Sequence, residues 1–361
     1  MDVTLKSNDL AKELSYLEKI VSQKPVVPIL GNVLLQADAS GGLRLATTNL
    51  EVGLITSCQA SVDMPGSLTL PVEKLLSITR LLTEDVRLTL EQNQVRVRSG
   101  QYNARLQTLP AEDFPQLPSM KGLAALQLPR LGLRDLILKT RSAVSSKNTQ
   151  LILNGALLIP GDEILTMVAT DGHRLARAVI AYTGGAGAPA IVPIGALDKL
   201  FDMLAEGIEA TVAFAQSDRH LFFACDGRLL ISRTLNGKFP AYERMIPKAH
   251  PERIEFSAAA LSLALQRVGL LASETQSIVI DVEASQMTLA ASSTTDGDAG
   301  EQIAVAYSGP AFKTCASGPY VLDFLNAVTE DMAVLSVKTA LDPLLFSQGL
   351  DYQCVVMPIR M

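Results

Sequence analysis

The segment with the greatest potential for chemistry is Thr170-Asp171-Gly172-His173-Arg174. An aspartate that orients a histidine is the acid–base half of many hydrolases, so Asp171 and His173 could take those roles. A hydrolase also needs a nucleophile, and the sequence contains neither a G-x-S-x-G segment nor a grouped Cys/His set. The Asp-Gly pair is also typical of a tight turn between two strands. We therefore expect no catalytic residue, and a hydrolase based on Asp171 and His173 is the least favoured hypothesis.

The cysteine and histidine residues of this chain do not form a pattern typical of a metal site or a disulfide framework. The cysteines are scattered, with no C-x-x-C pair, and no histidine pair lies near them. A zinc site or a disulfide framework needs such spacing, so we expect no metal, no cofactor and no disulfide. The residues concerned are His173, His220 and His250, and Cys58, Cys225, Cys315 and Cys354.

Composition indicates a globular protein of two or three domains. Of 361 residues, 48% are hydrophobic and 19% are charged, which is far from the signature of disorder. No apolar run is long enough for a membrane span, and the start MDVTLKSNDL does not look like a signal peptide. We therefore expect a cytoplasmic protein. The net charge of −6 argues against binding nucleic acid over the whole surface, so any DNA contact needs a local basic face.

Three apolar, strand-like runs recur along the chain at nearly constant spacing. The runs are Asn32–Gln36, Asn154–Leu158 and Ile278–Val282. Asn32 and Asn154 are 122 residues apart, as are Thr48 and Thr170. Self-similarity at a fixed period indicates repeated structural units, here of about 120 residues each.

Each repeat also contains a proline that begins a predicted helix. Pro71, Pro193 and Pro319 are separated by 122 and 126 residues. Proline favours the first helical turn because its missing N–H would be unpaired there anyway. Another amphipathic helix precedes the first strand of each repeat. The expected apolar stripes of the proline-led helices are Leu75, Ile78 and Leu82; Leu197, Leu200, Phe201 and Leu204; and Leu322, Leu325 and Val328.

These patterns predict an α+β fold of three similar domains, each with two helices packed on antiparallel sheets of about eight short strands. The expected domains are residues 1–121, 122–246 and 247–361. The joins are the proline-rich segments at residues 114–122 and 239–251, which are typical of linkers.

Six segments in the order of this repeat carry a family resemblance: PILGNVLLQ, TLPAEDFP, VATDGHRLA, GKFPAYERMIP, YVLDFLNAV and VVMPIRM. With them the chain resembles the β sliding clamps of bacterial DNA polymerase III nearly end to end. The resemblance implies a head-to-tail homodimer in which six domains form a pseudo-sixfold ring around duplex DNA. It implies a processivity factor that tethers the replicative polymerase and other replication and repair proteins, without catalysis. Its expected partners are duplex DNA irrespective of sequence, a second copy, the polymerase III catalytic subunit and the clamp loader, in the nucleoid.

The resemblance also implies a groove for short partner peptides between the second and third domains. Taken alone, the tail VVMPIRM would instead favour a core strand with a frayed end. Because Pro358 cannot donate to a strand ladder, we expect the terminal strand to lie at a sheet edge. The matching groove positions are Leu153, Thr170, Gly172, His173, Arg174, Leu175, Pro240, Arg244, Met245, Val355, Met357, Pro358, Ile359 and Arg360.

Expected DNA contacts are Lys24, Arg80, Lys147 and Lys199, with Lys74, Arg134 and Arg141 as further basic candidates. Taken singly, each of them is more often an ordinary solvated surface charge. At Glu73, Ile194-Gly195, Gln101 and Asn103 the chain lacks basic residues usual in the family, so we expect only a weakly positive channel.

For the dimer interface the resemblance implies Lys74 and Leu106 on one side and Leu270 and Leu271 on the other. Burial of Leu270 and Leu271 in their own domain is an open alternative. The competing function is a scaffold or peptide-binding protein that has the same fold but does not bind DNA.

Overall fold

The computed structural model describes residues 1–22, 25–39, 41–145, 151–247 and 252–360. Its first repeat consists of β1 (Asp2–Leu5), α1 (Ser7–Glu18), β2 (Asn32–Ala37), β3 (Gly42–Thr48), β4 (Val52–Gln59), β5 (Ser61–Met64), β6 (Gly66–Pro71), α2 (Val72–Thr79), β7 (Val86–Glu91), β8 (Gln94–Ser99) and β9 (Tyr102–Gln107).

The second repeat consists of β10 (Leu126–Pro129), α3 (Arg130–Thr140), β11 (Gly155–Pro160), β12 (Ile164–Thr170), β13 (Arg174–Ala181), β14 (Ala190–Pro193), α4 (Ile194–Met203), β15 (Thr211–Gln216), β16 (His220–Cys225) and β17 (Arg228–Arg233). The third consists of β18 (Glu252–Ser257), α5 (Ala258–Gly269), β19 (Ser277–Glu283), β20 (Gln286–Ser293), β21 (Gly297–Ala306), β22 (Phe312–Ser317), α6 (Gly318–Leu325), β23 (Met332–Val337), β24 (Leu344–Gln348) and β25 (Tyr352–Val356). The predicted pattern of two helices and about eight strands per repeat is confirmed, with nine strands in the first repeat and eight in each of the others.

The described chain forms two compact units. The first unit is Met1–Arg134 with Gly195–Thr234, and the second is Asp135–Ile194 with Leu235–Met361. The first holds two sheets, of order β5-β1-β7-β8-β9 and β10-β15-β16-β17-β4-β3-β2-β6. The second holds a twelve-stranded sheet, β14-β11-β12-β13-β25-β24-β23-β18-β21-β20-β19-β22. The domain boundaries 1–121, 122–246 and 247–361 stay a prediction.

The prolines mark the helix starts as predicted, but two apolar stripes differ from expectation. Pro71 caps α2, Pro193 immediately precedes α4, and Pro319 lies in the first turn of α6. Helix α2 ends at Thr79, so Leu82 lies beyond it. Helix α6 buries Val321, Phe324 and Leu325 rather than Leu322 and Val328, because Phe324 packs on Phe346 and Tyr352 at ring distances of 5.7 and 5.0 Å.

The described parts of the proline-rich joins are packed onto the core, and residues 248–251 of the second join lie outside the described residues. In the first strap, residues 114–123, Phe114 is buried and Leu117, Met120 and Leu123 pack on the apolar cluster around Ile231. In the second strap, residues 239–247, Phe239 is buried and Tyr242 and Ile246 pack on the cluster around Val355. Apolar residues at about every third position allow each strap to bury one side.

Each unit contains one joint in which strands from two different repeats pair. In the first joint β17 pairs with β4, with Ile231 opposite Gly53. In the second joint β25 pairs with β13, with Val355 opposite Leu175. The expected edge position of the terminal strand is wrong, since β25 lies between β13 and β24.

The strand ends before Pro358, which has no N–H to donate. The residues on either side of it are held outside the sheet, where the Met357 N–H donates to the His173 carbonyl at 2.9 Å and the Ile359 N–H to the Cys315 carbonyl at 2.7 Å.

Among the described residues, no helix is long and apolar enough to cross a membrane.

Candidate functional site

A cavity of about 420 Å³ in the second unit collects most of the predicted groove residues. Six further predicted groove residues do not line it: Leu153, Thr170, Pro240, Pro358, Ile359 and Arg360. Pro247 and Pro343 line it and were not predicted; Pro247 ends a motif of the resemblance, whereas no sequence signal marks Pro343. The predicted residues that line the cavity are Gly172, His173, Arg174, Leu175, Arg244, Met245, Val355 and Met357.

One wall of the cavity is the tight turn between β12 and β13. The Asp171 Oδ1 atom accepts the backbone N–H groups of His173 and Arg174, both at 2.9 Å. The Thr170 hydroxyl donates to the Arg174 carbonyl at 2.6 Å, and Gly172 has a φ of +92° that suits a glycine. The predicted Asp-Gly turn is therefore confirmed. Asp171 holds the backbone of His173, which is a structural role.

The guanidinium of Arg174 is held inside this wall. It donates to Asp171 at 3.1 Å and to Asp323 at 2.5 Å, and also to the Ser142 carbonyl. Its centre lies 4.2 Å from the centroid of the Tyr320 ring. Burial lowers the pKa of Arg174, but the bonds to Asp323 and Asp171 outweigh burial and leave that pKa above its ordinary value. Arg174 is thus a charged brace behind the cavity, with its donors already engaged.

The floor of the cavity is apolar and its rim is adaptable. Leu175 and Val355 are buried and face each other across β13 and β25. Met245 and Met357 are 36% and 44% exposed, and both line the opening. Unbranched methionine side chains can rearrange around different apolar groups. Such a site can bind a hydrophobic anchor of a peptide, while the exposed Arg244 can orient polar groups.

The remaining predicted groove residues support or flank this cavity. Leu153 is buried in the single 3₁₀ turn that precedes β11, and Pro240 accepts the N–H of Tyr242 at 2.7 Å within the second strap. Ile359 is exposed and, like Pro358 and Arg360, belongs to the tail beyond β25.

Of the four expected DNA contacts, two lie among the described residues. Lys24 and Lys147 lie outside the described residues. Arg80 is exposed at the C-terminal end of α2, and Lys199 is half-buried on α4. Arg134 stacks on the Phe201 ring at 4.2 Å, so part of its side chain serves packing between α3 and α4.

The expected interface residues lie on surfaces of both units. Lys74 lines a cavity of about 510 Å³ in the first unit together with Leu81, Leu82 and Tyr102, and Leu106 is half-buried on β9. In the second unit Leu270 caps α5 and is 81% exposed, whereas Leu271 is half-buried. Burial in its own domain therefore does not account for Leu270.

One group of potential metal ligands was not predicted. Ligand atoms of Glu209, Cys225 and Asp226 lie within 4.8 Å of one another in the first unit. The Cys225 thiol donates to Asp226 at 3.3 Å, and burial, reinforced by Asp226, raises its pKa to about 12. The Asp226 carboxylate also accepts the N–H groups of Ile208 and Glu209. These contacts make the group a capped turn.

Comparisons of sequence and of structure with known proteins match the chain to one family over nearly its whole length. Family models of the DNA polymerase III beta subunit match residues 1–118 (N-terminal domain), 127–241 (central domain) and 243–360 (C-terminal domain). The beta sliding clamp of Escherichia coli K12 is 30% identical over 377 residues, with 100% of both chains covered. Crystal structures of the DNA polymerase III subunit beta from Pseudomonas aeruginosa and of the Bartonella birtlesii sliding clamp bound to griselimycin are 27% and 28% identical, with TM-scores of 0.94 and 0.95 and full coverage of both chains.

Proposed function

The chain belongs to the DNA polymerase III beta subunit family, and on that premise we propose that it is a DNA sliding clamp. Two copies form a closed ring around duplex DNA and tether the replicative polymerase and other replication and repair proteins to it. The protein has no catalysis of its own and acts in the cytoplasm, at the nucleoid.

The observation that carries this proposal is that the same joint between repeats occurs twice within the chain. Two further strand edges, which would form a third such joint, have no partner strand among the described residues. In each joint the last strand of one repeat, β17 or β25, pairs with an inner strand of another repeat, β4 or β13. The last strand of the first repeat is β9, and among the described strands it pairs only with β8. The third-repeat counterpart of β4 and β13 is β21. Within the described part of the chain, its residues 297–304 pair only with β20.

Pairing of β9 with β21 of a second copy would supply the missing joint. Such a head-to-tail contact is heterologous, and it produces a ring when its rotation closes. The two edges carry charges of opposite sign, since Arg105 lies on β9 while Asp298 and Glu301 lie on β21. Within the chain Arg105 lies 4.0 Å from Glu91, and Glu301 accepts a bond from Arg267 at 2.9 Å. The exposed Leu270 offers an apolar group that suits the cavity beside Lys74.

Retention on DNA tests the ring directly. We expect the protein, once loaded, to remain on nicked circular duplex DNA and to be lost when the circle is cut. Binding should not depend on sequence, because the described residues contain no basic recognition helix or zinc module of the kind that reads base edges. Equal retention on linear and circular DNA would contradict encirclement.

The cavity of the second joint is the proposed site for partner peptides. Its apolar floor of Leu175 and Val355, with Met245 and Met357 at the opening, supports binding of a hydrophobic anchor. The tail residues Pro358, Ile359 and Arg360 are proposed to extend the site.

The proposal also includes three domains, at residues 1–121, 122–246 and 247–361. It further includes DNA contacts by Lys24, Arg80, Lys147 and Lys199. Limited proteolysis would test the domains, and the salt dependence of DNA binding in lysine and arginine variants would test the contacts.

A further inference from the structure

The first joint repeats the strand register of the second joint. Gly53 faces Ile231 in the first, and Leu175 faces Val355 in the second. Gly53 and Leu175 are 122 residues apart, which is the repeat spacing. On the other side of its strand, each of these two residues pairs with a threonine across the tight turn: Gly53 with Thr48, and Leu175 with Thr170. The position that forms the pocket floor in the second joint is therefore occupied by a glycine in the first.

The turn beside each joint has the same hydrogen bonds. In the first joint the Asn49 Oδ1 atom accepts the N–H groups of Glu51 and Val52 at 3.1 and 2.7 Å, as Asp171 does for His173 and Arg174. The Thr48 hydroxyl donates to the Val52 carbonyl at 3.0 Å, as the Thr170 hydroxyl does to Arg174.

The contact from the turn to the neighbouring chain segment is also repeated. The Glu51 carbonyl accepts the N–H of Arg233 at 2.9 Å, and the His173 carbonyl accepts the N–H of Met357 at the same distance. The wall that frames the partner pocket thus exists twice in each chain, once in each unit.

The two joints differ in how far the strap covers them. Met120 and Met245 each lie six residues after the buried phenylalanine of their strap, Phe114 or Phe239. Met245 stands at the pocket opening, whereas Met120 is half-buried on the apolar cluster of the first joint. Both straps pack on their joints, but the methionine position is covered in the first strap and open to the cavity in the second.

Leu117 of the first strap fills the space above Gly53. Its Cδ2 atom lies 2.9 Å from the point that a Cβ atom on Gly53 would occupy. A side chain there would force Leu117 to move, so the small residue and the inserted leucine depend on each other. Because Leu117 belongs to the same chain, its effective concentration at this seat greatly exceeds that of a free peptide.

We propose that the first joint is a second copy of the partner pocket, closed by Leu117 acting as a built-in hydrophobic anchor. Each chain then offers one open peptide site, and shortening Leu117 exposes a second site for an aliphatic peptide side chain. This inference rests on the proposed role of the second joint in peptide binding.

The test compares full-length Leu117→Ala with the wild type. The matched control is Leu123→Ala, which removes the same atoms from the same strap but does not lie over Gly53. The probe is a short synthetic peptide with a glutamine followed by paired leucines. Calorimetry gives the number of peptides per chain, and methyl NMR reports on Ile55 and Ile231 in the first joint and on Leu175 and Val355 in the second.

We expect the wild type and Leu123→Ala to bind one peptide per chain and to shift only the second-joint methyls. Leu117→Ala should bind two, with shifts at Ile55 and Ile231 and a second dissociation constant roughly tenfold above the first. If Leu117→Ala does not fold, Leu117→Val should give the same shifts with weaker saturation.

Shifts confined to the second joint in a folded Leu117 variant would overturn this inference and leave the proposed peptide site intact. First-joint shifts in the wild type would overturn the closure by Leu117. A wild type whose second-joint methyls do not respond would refute the proposed peptide site, and the inference with it.

Discussion

Two arginines line the cavity of the second unit, but they have different roles. Arg174 lines the cavity, yet its guanidinium is committed to Asp323, Asp171 and the Ser142 carbonyl. Arg244 lines the same cavity and is exposed. We infer that Arg174 shapes the pocket wall and that Arg244 is the residue that meets polar groups of a partner.

Replacing Arg174 should damage both the fold and peptide binding. Arg174→Ala leaves two aspartates without their cation, so we expect the free energy of unfolding to fall by about 2 kcal/mol, with peptide affinity at least tenfold weaker. Arg174→Lys should recover only part of either, since lysine lacks the planar fork. Urea unfolding and peptide calorimetry measure the two effects. Arg244→Ala is the control for stability only, because Arg244 lines the same cavity but is exposed. Unchanged stability in Arg174→Ala would show that the bonds of Arg174 are dispensable for the fold.

The four cysteines should be unreactive in the folded protein. Cys58, Cys225, Cys315 and Cys354 are all buried, and burial is the main cause that raises the pKa of each thiol, to about 12 for Cys58, Cys225 and Cys354. At pH 8 we expect a disulfide reagent to label fewer than one thiol per chain before unfolding and all four after it. Rapid labelling of the native protein would contradict this burial.

The same thiols should make stability depend on alkaline pH. Their folded pKa values are raised, so their contribution is complete below the unfolded value near 9.0 and is lost as pH rises toward about 12. The free energy of unfolding should therefore fall between pH 9 and pH 12. A Cys354→Ala variant should lose less stability over this interval than the wild type, and an equal loss in both would exclude Cys354 as a contributor.

At the scale of elements, the tail and the terminal strand have separate roles. Strand β25 is held by β13 and β24, while the tail is held by single hydrogen bonds from Met357 and Ile359. The tail can therefore be removed without disturbing the sheet. Its contribution should be to the pocket opening, where Met357 stands.

Deleting residues 357–361 should weaken a peptide with a glutamine and paired hydrophobic residues by at least tenfold, because truncating a buried anchor contact typically costs about 2 kcal/mol or more. The mass of the assembly should not change, since β25 keeps both partner strands. Calorimetry and light scattering measure these results, and deletion of Met361 alone, which the proposed site does not include, is the control. Unchanged peptide affinity in the shorter protein would place the partner groove elsewhere.

At the scale of the whole molecule, the strand edges left over within the chain indicate how copies assemble. Each of β9 and β21 lacks the neighbour that its counterparts have in the two joints, within the part of the chain that the structure describes. An exposed edge is a template for another strand. A second copy satisfies both edges at once.

Charged residues at the end of α5 should abolish the dimer and leave the fold intact. In Leu270→Asp/Leu271→Asp an unpaired charge would have to enter an apolar contact, so we expect a folded monomer with an unchanged circular dichroism spectrum. Light scattering at micromolar concentration measures the mass. The control is Leu350→Asp, which changes another leucine of the second unit that is 82% exposed. A dimer that persists in the double variant would place the interface away from α5.

Local patterns in the sequence determined much of this protein. The 122-residue spacing, the helix-starting prolines and the alternating strands predicted an α+β fold of three repeats, and the six motifs identified the family. These features depend on neighbouring residues and on periodicity, which a linear sequence records directly. The turn at Thr170–Arg174 was predictable for the same reason.

Only the tertiary structure decided which of these features are free to act. The sequence suggested linkers between the repeats, an edge position for the last strand and a groove role for Arg174, whereas the structure has packed straps, an inner β25 and an Arg174 guanidinium bonded to Asp171 and Asp323. Periodicity reports which face of an element is apolar but not which distant residue covers it. Leu117 and Gly53 lie 64 residues apart, and Arg174 and Asp323 lie 149 apart, so only the folded chain brings each pair together.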